Sequence, residues 1–329
     1  MIESDGDFEI AAVAGTAEDA MEALSAVSVD VILLDLEMPG AGGLKSIPRI
    51  IAAAGGARIM IVSSLADEGA EQTVAALALG ATDTMPKPGT GRFNGRFSEI
   101  LLSKLKALGY ADEPRSVLNA KRPPATALRP MSPERIEILA IGASTGGIHA
   151  LGTLFQNLPP QIGVPILITQ HLPAPFMSVF ARQLGAVAQR TALVAENGME
   201  LLPDRIIIAP GDAHLTVDIV GGRPVVRLTT APSSSGCLPS VDPMLASVGA
   251  LFGRSALGVV LTGMGRDAVT GAGRMVACGG VVLAQDAASS AVFGMPRAVI
   301  EAGLACAMLP PDKLGRRIAS LTGGEPLCK

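Results

Sequence analysis

Short apolar, β-branched runs alternate along most of the chain with Ala- and Leu-rich stretches whose apolar positions recur at helical spacing. In the first third, Phe8 to Val13, Val29 to Leu34 and Arg58 to Val62 predict strands, and a further short strand is expected before Lys87. Ala17 to Ala26, Glu68 to Leu79 and Phe97 to Leu108 predict the intervening helices. Strands separated by helices must cross over rather than turn back, so this alternation predicts a parallel sheet. The pattern resumes later, with strands expected at Ile136 to Ile141, Pro165 to Thr169, Ala256 to Leu261 and Gly280 to Ala284. The stretch Arg205 to Leu228 differs: short apolar runs are broken by Gly211-Asp212 and Gly221-Gly222, which predicts antiparallel strands joined by turns.

Between the two patterns, Tyr110 to Glu134 carries Pro114, Pro123, Pro124, Pro130 and Pro133 among small and charged residues, the composition of an extended linker. A length of 329 residues suits two domains, each able to bury a core. The expected architecture is therefore α/β in two parts: residues 1–109, a linker at 110–134, and a doubly wound, mainly parallel α/β domain with an antiparallel hairpin at 135–325.

Charge narrows the partners. With 26 Lys and Arg against 30 Asp and Glu the formal net charge is −4, which offers no basic footprint for a phosphate backbone. Aromatic residues make up 3%, leaving few rings on which bases could stack, so no nucleic-acid partner is expected. Hydrophobic content is 49%, yet Gly, Pro or charge breaks every apolar run short of the roughly 18 residues a spanning helix needs, so no membrane insertion is expected. The acidic start, Met1 to Asp7, is unlike a secretory signal, and a cytoplasmic location is expected. Cys237, Cys278, Cys306 and Cys328 form no C-x-x-C pair and read as reduced core thiols, without a disulfide framework or structural zinc.

Gly142-Ala143-Ser144-Thr145-Gly146-Gly147 follows an apolar strand, opens a helical stretch and fits G-x-S-x-G, the elbow that exposes a serine hydroxyl. A phosphate- or dinucleotide-binding turn and a purely structural loop fit as well, although Ser144 stands where the dinucleotide fingerprint wants glycine. A serine nucleophile needs a base, and the chain has three histidines. His171 follows a strand and should emerge at the same sheet edge as Ser144. His149 falls within the following helix and should face solvent, and His214 reads as a surface or turn histidine. For the carboxylate that orients the base, Asp267 in the glycine-rich loop after Leu261 and Asp286 after the next strand are equally placed, and both could equally be helix caps.

Six short motifs occur in order: Ile141 to Gly147, Thr169-Gln170-His171, Ala209 to Asp212, Pro239 to Asp242, Leu261 to Gly265 and Phe293 to Pro296. Together they resemble the protein-glutamate methylesterases of bacterial chemotaxis, the CheB family, over nearly all of residues 136–325. The resemblance implies Ser144 as nucleophile, His171 as base, Asp267 rather than Asp286 as orienter, and the amides of Thr145 and Met264 near the oxyanion. One departure is Ala268, where the family usually has glycine.

In the amino-terminal third, Asp35 and Ser63 end successive strands and Lys87 follows a third, so three polar groups should meet at one sheet edge. Together they resemble the flavodoxin-like receiver domain of response regulators. The resemblance implies Asp35 as phosphoacceptor, Ser63 as switch hydroxyl and Lys87 as the cation facing the phosphoryl group. Receivers open with a strand ending in an acidic pair that helps bind Mg²⁺. Here only seven residues precede the first predicted strand, so a receiver without its first strand, with strands at Phe8 and Val29 left with unpaired edges and weakened Mg²⁺ binding and phosphorylation, is the expectation. A wrong gene start or a truncation would account for it.

The reading is a two-domain response regulator whose serine hydrolase domain demethylates, and by resemblance also deamidates, chemoreceptor side chains. It needs no cofactor for the esterase, and its implied partners are methyl-accepting receptors and a chemotaxis histidine kinase. The rival readings are a nucleotide-binding oxidoreductase and a non-catalytic signalling scaffold.

Overall fold

The structure, a computed structural model, describes residues 2–37, 43–63, 67–87, 94–109, 128–131 and 135–323. It divides into two compact units, Met1–Ser116 and Val117–Lys329. The linker expected at 110–134 lies outside the described residues except for 128–131.

In the first unit a 3₁₀ turn at Ile2–Ser4 precedes α1 (Ala17–Ala26), β1 (Val31–Asp35), α2 (Gly43–Ala53), β2 (Arg58–Ser63), α3 (Asp67–Ala78), β3 (Asp83–Pro86) and α4 (Asn94–Gly109). The strands form a parallel sheet in the order β1-β2-β3. Thr16 opens α1 by accepting the Asp19 amide on its hydroxyl, one of the donors a helix start otherwise leaves unpaired. The strand expected at Phe8 to Val13 does not form; that stretch runs without ladder partners, with Ile10 44% and Val13 90% exposed. Its composition favours a strand, but a strand is held by a neighbour that takes up its backbone groups, and among the described residues β1 pairs only with β2. Lys106 of α4 anchors the preceding turn instead, with Nζ 2.9 Å from Asp5 and 2.6 Å from Asp7 and its charge over the Phe8 ring.

The second unit contains β4 (Ile138–Ala143), α5 (Gly147–Gln156), β5 (Ile166–Gln170), α6 (Ala174–Ala188), β6 (Ala192–Val194), β7 (Ile206–Ile208), β8 (His214–Val220), β9 (Arg223–Thr229), α7 (Val241–Phe252), β10 (Ala256–Val260), α8 (Val269–Ala277), β11 (Val281–Gln285), α9 (Met295–Glu301), β12 (Ala307–Leu309) and α10 (Pro311–Thr322). Seven strands form one wholly parallel sheet in the order β12-β11-β10-β4-β5-β7-β6. Every residue of β4, β5, β10 and β11 is buried, as strands covered on both faces require. Ile138, Leu167, Ile207 and Val282 of the sheet share one apolar cluster with Met244, Leu245 and Val248 of α7 and Met275 of α8. Among the described residues no helix is long and apolar enough to cross a membrane.

Two further expectations are corrected in the second unit. Within Arg205 to Leu228 only β8 and β9 are antiparallel, closed by Gly221-Gly222, whereas Ile206–Ile208 enters the main sheet parallel to β5 and β6. Three consecutive isoleucines suit a strand buried on both faces, and the glycine after them reads as a hairpin turn only when their burial is unknown. The described cysteines are free but are not core thiols: Cys278 is exposed, and Cys237 and Cys306 are half-buried. Cys328 lies outside the described residues.

The strand order places β4 at the centre with β10 on one side and β5 on the other, so the loops leaving all three open at the same carboxyl edge. One of them carries backbone strain. Ala268, fully buried ahead of α8, has φ +83°, where a Cβ crowds the backbone and glycine does not. We expect Ala268→Gly to stabilise the protein by about 1 kcal/mol, read as a higher urea midpoint with unchanged slope. An unchanged or lower midpoint would refute this account of the loop.

Candidate active site

The turn after β4 holds Ser144. Its amide donates to the Thr262 carbonyl at 3.0 Å, tying this turn to the loop after β10, and the Thr262 hydroxyl donates back to the Thr145 carbonyl at 2.9 Å. Gly263 lets the two loops meet, since a Cβ there would stand 2.6 Å from the Ser144 Cβ. Gln170, the last residue of β5 and buried, donates from Nε2 to the Ser144 carbonyl at 2.9 Å. Gln285 ends β11 and accepts the Thr262 amide on Oε1 at 2.8 Å. Two buried glutamines at strand ends thus brace the serine turn.

His171 leaves β5 with its amide donating to the Ala143 carbonyl at 3.0 Å, which turns its ring toward the serine. Nδ1 lies 3.1 Å from Ser144 Oγ and Nε2 lies 2.8 Å from Asp267 Oδ2. For Nδ1 to accept the serine proton, Nε2 must carry the hydrogen donated to Asp267. The two ring nitrogens therefore exchange the roles they hold in the familiar serine-protease triad. The His171 side chain is 18% exposed and that of Asp267 1%.

Asp267 is an anion buried in protein, and the donors around it make that tenable. Oδ1 accepts the Ser240 hydroxyl at 2.8 Å and the Ala268 amide at 2.9 Å, while Oδ2 accepts the Val241 amide at 2.7 Å beside the His171 bond. Val241 is the first residue of α7, so the carboxylate sits on a helix amino terminus. Burial alone would raise its pKa; the hydrogen bond and charge of His171, with the donors from Val241 and Ser240, outweigh burial and hold it down at about 2. Asp242, in the next turn position, is pushed up by burial although Gly271 N–H and Ser234 donate to it. The two neighbouring carboxyls are thus shifted in opposite directions.

The Ser240 backbone is fixed in turn by a histidine. His214 is 2% exposed, correcting its reading as a surface residue; its Nδ1 accepts the Ser240 amide at 2.8 Å and its Nε2 donates to the Ala231 carbonyl at 2.9 Å. Asp286 does not reach the site and closes a turn by accepting the Ser289 amide and hydroxyl. His149 is exposed on α5. Thr145 is buried at the mouth of α5, and Met264, 38% exposed, follows Gly263 on the facing loop. Ser240, His214, Gln170 and Gln285 brace this arrangement, and residue patterns did not single them out for that. Ser240 stood in the Pro-Ser-Val-Asp motif and Gln170 next to His171 in Thr-Gln-His, and these polar motif positions were the available signal.

In the first unit the register aligns Asp35 with Val62 and Ser63 with Pro86, so Asp35, Ser63 and Lys87 share one sheet edge. Lys87 Nζ is 2.9 Å from Asp35 and 2.7 Å from Glu37, and hydrogen bonds to Asp35 first and Glu37 second raise the lysine pKa. The buried Ser63 hydroxyl bonds Thr73 of α3 at 2.6 Å. Among the described residues no cluster of three potential metal ligands surrounds Asp35, and the acids Asp5 and Asp7 are engaged by Lys106. The described residues thus assemble no carboxylate set for a receiver Mg²⁺ at this edge.

Residues 139–318 match the CheB methylesterase family model, and residues 1–92 match the response regulator receiver domain. The chain is 41% identical over 320 residues to protein-glutamate methylesterase/protein-glutamine glutaminase 2 of Caulobacter vibrioides, covering 95% of this chain and 91% of that protein. It is 38% identical over 348 residues to the protein of the same activity from Azospirillum brasilense, covering 97% of this chain and 88% of the relative. The crystal structure of the Thermotoga maritima CheB methylesterase catalytic domain superposes with a TM-score of 0.55 at 35% identity, covering 57% of this chain and all of that one. With a receiver match ahead of the esterase match and relatives similar over almost the whole length, the chain belongs to the CheB methylesterase family.

Proposed function

We propose that the chain is a serine hydrolase that removes methyl esters from glutamate side chains of chemoreceptors and deamidates receptor glutamines. The observation that carries this reading is the continuous chain Ser144–His171–Asp267, with contacts of 3.1 and 2.8 Å, at the open carboxyl edge of the sheet. His171 Nδ1 takes the hydroxyl proton as Ser144 Oγ bonds to the ester carbonyl carbon. The amides of Thr145 and Met264, on the two loops that Gly263 lets approach, receive the carbonyl oxygen as it becomes anionic. Collapse of that intermediate breaks the bond to the methoxy oxygen, which leaves as methanol with the proton from His171. Water then repeats the sequence on the acyl-enzyme, releasing glutamate. With glutamine the leaving group is ammonia, and no other step changes.

The low pKa of Asp267 has a direct use. A carboxylate that stays ionised steadies the imidazolium formed at each proton transfer and keeps the Nε2 hydrogen on its own side. The dinucleotide reading finds no support, because the serine in the glycine-rich turn is committed to His171. We further propose that Asp35 is the receiver's phosphoacceptor for a chemotaxis histidine kinase, with Lys87 as its cation and Ser63 as its switch hydroxyl, and that it is phosphorylated only weakly because no acidic pair for Mg²⁺ faces it among the described residues. A cytoplasmic location follows from these partners.

Methanol release from methylated receptor tests the hydrolase. Ser144→Ala and His171→Ala are each expected to lower it on the order of 10⁴-fold or more, whereas Asp267→Asn retains a small residual rate because nucleophile and base remain paired. Near-normal release by Ser144→Ala would exclude the covalent route. Stability supplies an independent check on Asp267. Its pKa falls from 3.8 to about 2 on folding, so its stabilisation is complete above pH 3.8 and lost as pH drops through 2. Urea unfolding between pH 5 and pH 2 should show a loss of roughly 2 kcal/mol in the wild type that Asp267→Asn lacks. The same pH dependence in both proteins would mean that Asp267 is not held as an anion.

A further inference from the structure

The loop between β9 and α7 brings a third kind of ligand to the catalytic edge. The Cys237 sulfur, one His171 ring nitrogen and one Asp267 carboxylate oxygen all lie within 4.8 Å of one another, the only such grouping among the described residues. Cys237 is half-buried on a loop pinned at several points. The Ser233 hydroxyl donates to the Cys237 carbonyl at 3.0 Å, the Ser235 hydroxyl accepts the Cys237 amide at 3.3 Å, and Ser235 also donates to Ser240 at 3.1 Å. Ser240 bonds Asp267, so the position of the thiol and that of the carboxylate are set by one hydrogen-bonded run.

We propose that His171, Cys237 and Asp267 form an inhibitory site for a thiophilic divalent cation of the Zn²⁺ class. A nitrogen, a sulfur and an oxygen donor make a borderline-soft set, which selects Zn²⁺ over Mg²⁺ or Ca²⁺. Bound at Zn–N, Zn–O and Zn–S lengths, such ligands stand about 3.5 Å apart, so side-chain shifts on the order of an ångström close the site and water takes the fourth position. The cation enters from the side of His171 and Cys237, since Asp267 is almost wholly enclosed. Either ring nitrogen it takes is already engaged, Nδ1 with Ser144 and Nε2 with Asp267. Binding replaces one of those hydrogen bonds with a metal bond, and the Cys237 thiol proton passes to solvent. His171 then cannot act as base, and the esterase stops until the cation leaves.

The inhibitory effect rests on the hydrolase reading; the binding does not. In the full chain, Zn²⁺ added as chloride should suppress methanol release, and EDTA should restore it. The half-inhibiting concentration, measured relative to each protein's own uninhibited rate, should rise tenfold or more in Cys237→Ala and in the similarly sized Cys237→Ser. Co²⁺ in place of Zn²⁺ should give a thiolate-to-metal charge-transfer band in the wild type and in Ser144→Ala, and none in either cysteine variant. A band in Ser144→Ala separates the two readings, because it reports the metal site in a protein with no turnover. Equal Zn²⁺ sensitivity of wild type and both cysteine variants, or no thiolate band with Co²⁺, would overturn the proposal.

Discussion

An isolated carboxylate in protein interior is costly, and the active edge of the second unit is arranged around making one tolerable. Asp267 is ionised because a helix start, a serine hydroxyl, its following amide and an imidazole all converge on it. Each donor belongs to a different structural decision. The amide of Val241 exists as a free donor because α7 begins there, the Ser240 hydroxyl points inward because His214 fixes its backbone, and His171 arrives because β5 ends beside β4. The charge is thus a constraint on the fold as much as a tool of the chemistry.

Much of this was legible in the residues. Alternating periods placed β4, β5, β10 and β11 and located Ser144 and His171 at strand ends, because a parallel sheet buried on both faces leaves a nearly uninterrupted apolar signature. The choice between Asp267 and Asp286 was not legible from pattern alone. Both follow buried strands, and what separates them is the direction in which each loop turns, toward α7 for one and back onto Ser289 for the other. His214 was misread because a histidine at the start of a hairpin strand carries no local sign of what will cover it. Phe8 to Val13 failed in the opposite sense: its composition satisfied every local rule for a strand, but pairing is a property of two segments. The grouping of His171, Cys237 and Asp267 escaped notice for a similar reason, since its members are separated by 66 and 30 positions and show no ligand spacing.

Ala268 shows where functional geometry and backbone comfort part. The residue after Asp267 must turn the chain sharply so that its own amide reaches the carboxylate, and it does so at a φ that glycine adopts freely. Alanine there trades some stability for a stiffer loop.

The hydrogen-bonded site draws on residues 144, 171, 240 and 267, which meet only after β4 has acquired neighbours on both sides. No local stretch of the chain contains even two members in contact. Contacts of such long sequence separation form late, after the loops between them have been closed. A nascent or partly unfolded chain therefore has an exposed serine and an exposed histidine but no hydrolase. Esterase activity in this architecture therefore depends on the completed sheet.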